Sequence, residues 1–421
     1  MDTFLREEKH LTSSCPIEAR KGALEVLSLL RDAGFETYFA GGCVRDRLLC
    51  AVPTEYDIVT AAKPEEIRNL FPQAKNVGEA FGVMLVRKNN FMYDVATFRS
   101  DGEYIDHRHP TNVTFTDAKH DAQRRDFTIN GLFEDPIEET IIDFVGGKDD
   151  LDARIVRAIG DPNQRLSDDH LRMLRAVRFA AHFSFSIEAE TADSIREHAP
   201  HLSGVSKERI GGEIRRMLSH QNRGVAAWEL QYLGLDVPIL GEDSILTAPT
   251  RVGRLPATSD FPTALAAWMI DRHTSEADLQ TIATTWRKQL LLSNREYAAL
   301  QEILTLHATL ATWETLGVAN KKRLASADRF PSTLAILQAE DRPMFVFVKQ
   351  AIAKLLKTGL APEPLLTGDD LIAIGIPSTP VLGTILDALY DTQLEGGIAS
   401  KEAAIALARV IAHDIFTDND H

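Results

Sequence analysis

The stretch Gly41 to Thr60 reads GGCVRDRLLCAVPTEYDIVT and concentrates groups that can handle phosphate. Glu55 and Asp57 lie two residues apart in a β-rich run. Alternate residues of a strand share a face, so this spacing predicts two carboxylates meeting one metal ion. Asp94, in FMYDVATFR on a separate predicted strand, is a third. Three carboxylates on neighbouring strands could hold two Mg²⁺ ions, which take hard oxygen ligands and keep waters and substrate phosphates. Gly41 and Gly42 open a short predicted helix bearing Arg45 and Asp46, and backbone N–H groups at a glycine-rich helix start suit a triphosphate. The chemistry implied is phosphoryl transfer, which needs positioning and charge neutralisation. An isolated acidic pair would read as a solvated strand face; the glycine turn upstream argues for a site.

Two further segments carry candidates. RRDFTINGLFEDP brings Arg124, Arg125 and Asp126 together, and arginine forks bind phosphate or ribose hydroxyls. DDHLRMLRAVRFAAHF has helical periodicity and places Asp169 and Arg172 three residues apart, on one helix face. Arg175 and Arg178 continue in steps of three. At ~100° per residue, Arg178 ends nearly opposite Asp169, suited to anchoring phosphate or the helix itself. Arg124, Arg125, Arg154, Arg157, Arg165, Arg172, Arg175 and Arg178 fall in one central stretch. A basic track and a set of salt-bridged helix faces both fit that clustering.

The elements that must position these groups divide the chain. Ile17 to Ala33 reads as an amphipathic helix. After Gly34 come short β-branched and aromatic runs, interrupted by one helix over Pro64 to Leu70. They predict a mixed sheet with helices on one side. From Lys148 onward strand signals almost vanish. The polar, proline-rich stretch GEDSILTAPTRVGRLPATSDFP marks a junction at 241–262, and a second is expected near Phe330–Pro331. The fold class is therefore α+β: a mixed-sheet head, then an all-helical remainder. The expected domains are 1–150, 151–222, 223–330 and 331–421.

The whole chain sets outer bounds. Its 421 residues allow several domains, and 44% apolar and 25% charged residues are ordinary for a globular protein. No apolar run approaches the ~18–20 residues of a membrane span, and MDTFLREEKHLTSS lacks the apolar core of a signal peptide. Cys15, Cys43 and Cys50 show no CxxC spacing, which fits a reducing cytoplasm and gives no disulfide or metal framework. The net charge of −15 argues against a broad nucleic-acid coat and leaves room for a confined basic track. His413-Asp414 reads as a helix-end pair, because a phosphohydrolase site needs more ligands than are arranged around it.

GGCVRDRLLC…EYDIVT, VGEAFGV, TFRSDGEYIDHRHP, RRDFTINGL, DFVGGKDDL, DDHLRMLRAVRFA and SKERIGGEI occur in the order seen in tRNA nucleotidyltransferases. The chain resembles the class II CCA-adding enzymes and, more widely, the bacterial poly(A) polymerases that share a head fold with DNA polymerase beta. The motifs run from about residue 38 to 220, with weaker similarity in the tail. No single motif is specific; the ordered set is.

The resemblance implies an N-terminal nucleotidyltransferase head followed by helical neck, body and tail. It gives Glu55 and Asp57 the catalytic metals and makes Asp94 the third carboxylate, with Mg²⁺ as cofactor. Gly41, Gly42 and Arg45 match residues that cradle the triphosphate. Arg125, with Arg124 and Asp126, matches the segment contacting nucleotide and ribose. Asp169 and Arg172 match a protein template for the incoming base, and Arg175 and Arg178 are counted with the nucleotide-binding residues. Cytosine and adenine both present an amino donor beside a ring-nitrogen acceptor, which an Asp acceptor and an Arg donor match. Guanine and uracil present the reverse and leave buried groups unpaired, at ~1–3 kcal/mol each. Thr97 to Phe115 matches a flexible loop, with Asp101, Tyr104, Asp106 and Arg108 as its polar positions. The implied partners are CTP, ATP and tRNA, held at acceptor stem and elbow by the helical remainder; no membrane and no obligate protein partner is expected. RNA duplexes are recognised by shape and backbone, so no base-reading motif is expected there.

Several positions depart from the family pattern. Glu55 stands where Asp is usual and reaches one methylene farther. Asp168-Asp169 replaces Glu-Asp, with Asp168 expected to cap or orient rather than read a base. Cys50 replaces a glycine, and Gly131 an alanine. An A-adding enzyme or poly(A) polymerase of the same fold, and a silent RNA-binding relative, remain as alternatives. The absence of a basic stretch at VGEAFGV speaks against a poly(A) polymerase.

Overall fold

The computed structural model describes residues 16–78, 82–102, 112–273 and 278–418. It divides into two compact units, Met1–Leu246 with Gln289–Leu291 and Thr247–Lys288 with Leu292–His421. The boundary at Leu246 falls inside the polar stretch 241–262.

The first unit opens with helix α1 (Pro16–Asp32), whose Ala19, Ala23, Val26, Leu27 and Leu30 recur at helical spacing and are buried. Strand β1 (Thr37–Ala40) leads into helix α2 (Gly42–Leu48), and β2 (Asp57–Thr60) into helix α3 (Pro64–Leu70). Strands β3 (Lys75–Gly78), β4 (Val83–Lys88) and β5 (Phe91–Thr97) follow. A separate hairpin pairs β6 (Arg99–Asp101) with β7 (Val113–Phe115). Helix α4 (Ala118–Gln123) precedes β8 (Leu132–Asp135) and β9 (Thr140–Asp143). The seven-stranded sheet has the order β3-β4-β5-β2-β1-β8-β9. It is mixed because β2 and β5 run parallel while its other pairs are antiparallel.

Helices cover both faces of this sheet, not one. Tyr93 Oη donates to the Ala19 carbonyl at 2.8 Å, seating α1 on one face. On the other, Ala118 and Ala122 of α4 pack with Ala40, Val59, Phe98 and Phe133. The physical reason is that successive residues of the central strands, Ile58 and Val59, are both buried, so each face needs a cover.

Helical structure dominates after β9, as expected. It comprises α5 (Gly147–Ala153), α6 (Pro162–Asp168), α7 (Leu171–Phe183), α8 (Ala189–His198), α9 (Lys207–Leu218), α10 (Arg223–Tyr232) and α11 (Asp236–Leu240). One short parallel pair, β10 (Ile155–Val156) with β11 (Ser186–Ile187), interrupts them. The helix expected to carry both Asp169 and Arg172 is broken. α6 ends at Asp168, and Asp169 is extended (φ −151°, ψ 104°). Its carbonyl accepts from Arg172 N at 2.9 Å and its carboxylate from Leu171 N at 3.0 Å. Asp169 thus satisfies first-turn donors of α7, as a helix cap does.

The second unit is helical among its described residues. Phe330 is buried with Leu310, Trp313, Leu324, Leu337 and Val348. Helix Phe330–Glu340 begins at Phe330–Pro331, with proline in its first turn. A separate core gathers Leu366, Leu371, Ile385, Leu389, Ala404 and Ala408. His413 and Asp414 lie in the helix Lys401–Asp418. Among the described residues no helix is long and apolar enough to cross a membrane.

Candidate active site

The parallel register Ile58↔Val95 places Asp57 beside Asp94, one step earlier on each strand. Their side chains share the face of Val59 and Ala96. Asp57 is exposed and Asp94 half-buried. Glu55 is exposed but precedes β2, a correction to the expected strand pair. The cause is local. Ala40↔Asp57 is the last pairing of β1 with β2, and the chain turns away at Gly41, so no ladder partner stands opposite Glu55. Among the described residues, ligand atoms of Glu55, Asp57 and Asp94 do not all lie within 4.8 Å of one another. Beneath them Cys43 Sγ donates to the Ala40 carbonyl. Burial, with the nearby Asp57 charge, pushes this thiol up to about 12, so it stays neutral.

Gly41 has φ 69° and ψ −122°, backbone that glycine adopts and other residues rarely do. A Cβ there would also stand 3.1 Å from Arg125 Nη1. Arg125 and Arg124 are both held by Asp121, through Nη2 at 3.0 Å and Nε at 2.9 Å. Asp121 is fully buried; burial would raise its pKa, but the two guanidinium groups outweigh it and hold the carboxyl below the usual range. Arg45 is nearly buried. Its Nε and Nη2 donate to Asp46 at 2.9 and 2.7 Å, its Nη1 to Asn130 Oδ1, and it stacks over Phe183 and Phe179 at 4.5 and 5.2 Å. Arg45 therefore ties α2 to α7 across the first unit.

Asp126 faces α7 as well. Arg175 Nε donates to its Oδ2 at 2.8 Å and Asn130 Nδ2 to its Oδ1 at 3.0 Å. Arg178 Nε lies 2.7 Å from Glu213 Oε2 on α9. Arg157 likewise meets Asp150, and Arg165 donates to the Gln123 and Arg124 carbonyls at 2.7 and 2.9 Å. Much of the arginine cluster is thus spent on internal pairs.

The two base-selecting candidates are each oriented by another residue. Asp169 Oδ2 accepts from Arg209 Nη2 of α9 at 2.7 Å. Arg172 Nη1 donates to the Arg165 carbonyl at 2.8 Å and stands 3.4 Å from Asp168 Oδ2. Asp168 orients Arg172, while capping falls to Asp169. Asp101 ends β6 at the loop side of the hairpin, accepting from Arg99 Nε at 2.9 Å and lying 3.7 Å from Arg124 Nη1. Tyr104, Asp106 and Arg108 lie outside the described residues.

Residues 37–157 match the family described as the poly A polymerase head domain. Residues 184–236 match the probable RNA and SrmB-binding site of polymerase A. A CCA-adding enzyme of Levilactobacillus brevis is 32% identical over 92% of this chain and 96% of its own length. The chain belongs to the CCA-adding enzyme family. A CCA-adding enzyme of Enterococcus faecalis is 33% identical over 91% of this chain and 94% of its own. The Bacillus stearothermophilus CCA-adding enzyme, solved in complex with CTP, is 25% identical and superposes with a TM-score of 0.75, covering 97% of this chain and 100% of that one.

CCA-adding nucleotidyltransferases are metal-dependent. The donor set here fits a hard divalent cation: a carboxylate at the exposed start of β2 beside a half-buried one on β5. Sequence reasoning missed the residues that orient the site. Arg209 sits inside the quoted SKERIGGEI, and Asn130 inside RRDFTINGL, yet neither is close in sequence to its partner Asp169 or Arg45. Phe179 and Phe183 were legible only as core positions of a helix. Asp121 lies three and four residues before the arginines it holds, a helical spacing that could have revealed it.

Proposed function

We propose that the chain adds CCA to the 3′ end of tRNA from CTP and ATP, without a nucleic-acid template and with release of pyrophosphate. The observation that carries this is the adjacency of Asp57 and Asp94 on parallel strands, beside a turn at Gly41 whose backbone residues other than glycine rarely adopt. Asp57 and Asp94, with Glu55, would hold Mg²⁺, which when bound lowers the charge of the phosphates and activates the attacking hydroxyl. Gly41 and Gly42 let the backbone approach the triphosphate, and Arg124 and Arg125 stand pre-set by Asp121 to meet nucleotide. Asp169 accepts from the amino group of cytosine or adenine and Arg172 donates to the neighbouring ring nitrogen. Arg45, Asp126, Arg175 and Arg178 hold head and neck helices in register for this step. The loop bearing Asp101, Tyr104, Asp106 and Arg108 would switch the site from C to A.

The division of labour follows the same reading: residues 1–150 as catalytic head, 151–222 as base-selecting neck, 223–330 as body, and 331–421 as tail holding tRNA. The setting would be cytoplasmic, in keeping with the free thiols of Cys43 and Cys50.

One assay tests this. The protein is incubated with tRNA lacking its terminal CCA, with CTP and ATP alone and together. Ordered addition of two C's and one A is the expected result. Extension with ATP alone, or a long A tail, would make it an A-adding enzyme; no incorporation over a range of Mg²⁺ would make it a silent relative.

A further inference from the structure

A second convergent set of side chains lies in the neck, outside the carboxylate site. His170 sits at the break between α6 and α7. His198 ends α8, and His201 lies in the 3₁₀ stretch Ala199–Gly204 that follows. The ring centroids are 6.0 Å apart for His170 and His198, 5.4 Å for His170 and His201, and 5.6 Å for His198 and His201. One ligand nitrogen from each ring lies within 4.8 Å of the other two. His170 is buried, His198 half-buried and His201 exposed, so the cluster has a floor and an opening. His198 Nδ1 is itself buried and has no hydrogen-bond partner.

We propose that His170, His198 and His201 bind one zinc-class divalent cation, with water completing the coordination. Imidazole nitrogens suit Zn²⁺, Co²⁺ and Ni²⁺, whereas Mg²⁺ takes carboxylates, carbonyls and water. The site is thus chemically distinct from Asp57 and Asp94. Zinc–nitrogen bonds of ~2.0–2.1 Å set ligand nitrogens about 3.4 Å apart in a tetrahedron. Reaching that from nitrogens within 4.8 Å of one another needs a closure of at most about 1.4 Å, and His201, exposed on a short turn, has the freedom to supply it. Imidazole binds a metal through its neutral form. A buried ring nitrogen lacking a partner calls for a ligand, and an ion would supply one to His198 if Nδ1 is the atom it meets.

The ion would tie the segment after Asp169 to the end of α8. Its effect on base selection rests on the proposed role of Asp169; binding itself does not.

The test uses the full chain freed of any affinity tag, in chelator-treated buffer without nucleotide or tRNA. Co²⁺ is titrated while visible absorption is followed. One equivalent should bind with the strong bands of a four-coordinate site, Zn²⁺ should displace it, and a large excess of Mg²⁺ should not. Zn²⁺ should also raise Tm by several degrees, reversed by chelator. His201→Ala, on an exposed side chain, and His198→Ala should each weaken Co²⁺ binding at least tenfold, while Asp57→Ala leaves it unchanged. Sub-stoichiometric binding, or affinity that both histidine variants retain, would overturn the proposal. Because no nucleotide enters the experiment, its failure is separate from any failure of CCA addition.

Discussion

Asp126 and Arg175 form an ion pair between the segment after α4 and helix α7, with Arg175 Nη2 2.6 Å from Asp126 Oδ2. Burial would push the Asp126 carboxyl up, but Arg175 and the Asn130 amide outweigh it and hold it well below the usual carboxylate range. A group whose folded pKa is depressed adds stability above its unfolded pKa and loses it as pH falls. Asp126→Asn should therefore destabilise the protein at neutral pH. Breaking a fully buried pair costs ~3–5 kcal/mol. Arg175 is 35% exposed, so solvent screening brings the expectation to about 2–3 kcal/mol. The gap between wild type and variant should close as pH drops below about 4. Urea unfolding across that range measures it, and a gap independent of pH would assign the loss to packing instead.

Asp57→Ala should lower nucleotide incorporation by about a thousandfold, because the proposed Mg²⁺ site would lose the carboxylate that β2 fixes in place. Asp57 is exposed, so folding and tRNA binding should stay near wild type. Glu55→Gln should do less. Glu55 stands ahead of the ladder, so its loss should appear chiefly as a severalfold higher Mg²⁺ requirement. Rates across a Mg²⁺ titration separate the two, and a Glu55→Gln enzyme identical to wild type at all concentrations would remove Glu55 from the ligand set.

The order of elements was legible because it rests on local patterns. α1 and α3 follow from periodicity and proline, and the sheet follows from β-branched runs between turn residues. The nearness of Asp57 and Asp94 on neighbouring strands was legible because a strand fixes which way its side chains point. Glu55 was misplaced because strand periodicity was extended past the point where β1 ends and pairing stops. Asp169 was misplaced in the same manner, by extending helix periodicity across the break at the start of α7. The long-range arginine pairs were not legible at all. Arg45 meets a partner 85 residues away and Arg175 one 49 away, and no local pattern encodes such contacts.

Cys50 holds φ 58°, the left-handed region, at an exposed turn after α2. A Cβ in that region crowds the following carbonyl at a cost of ~1–2 kcal/mol. Glycine escapes that strain and gives part of it back through the flexibility of the unfolded chain. Cys50→Gly should thus raise stability by about 0.5–1 kcal/mol without altering activity. Thermal unfolding of the two proteins in reductant checks this; a lower Tm for the variant would mean that the Cys50 side chain makes a contact worth more than the strain.

Arg209 should govern nucleotide choice without touching the base. Its Nη2 is the donor that fixes Asp169 Oδ2, and Asp169 lies on extended backbone where its own helix gives it no second restraint beyond the Leu171 amide. Without Arg209 the carboxylate can rotate, and a freely rotating acceptor no longer penalises the wrong base with an unpaired group. Arg209→Met keeps much of the apolar stem and removes the charge. It should slow CTP incorporation modestly and cut discrimination against UTP about tenfold, equivalent to ~1.4 kcal/mol. Arg209→Lys should recover part of the selectivity, since one ammonium restores the charge but not the planar fork. Arg196→Met, which breaks an exposed pair with Asp193 and a stacking contact with Tyr232, serves as the control. Competition between CTP and UTP on tRNA lacking CCA reads the effect directly. Selectivity that survives Arg209→Met but falls in Asp169→Ala would show that Asp169 is held by its own backbone turn alone.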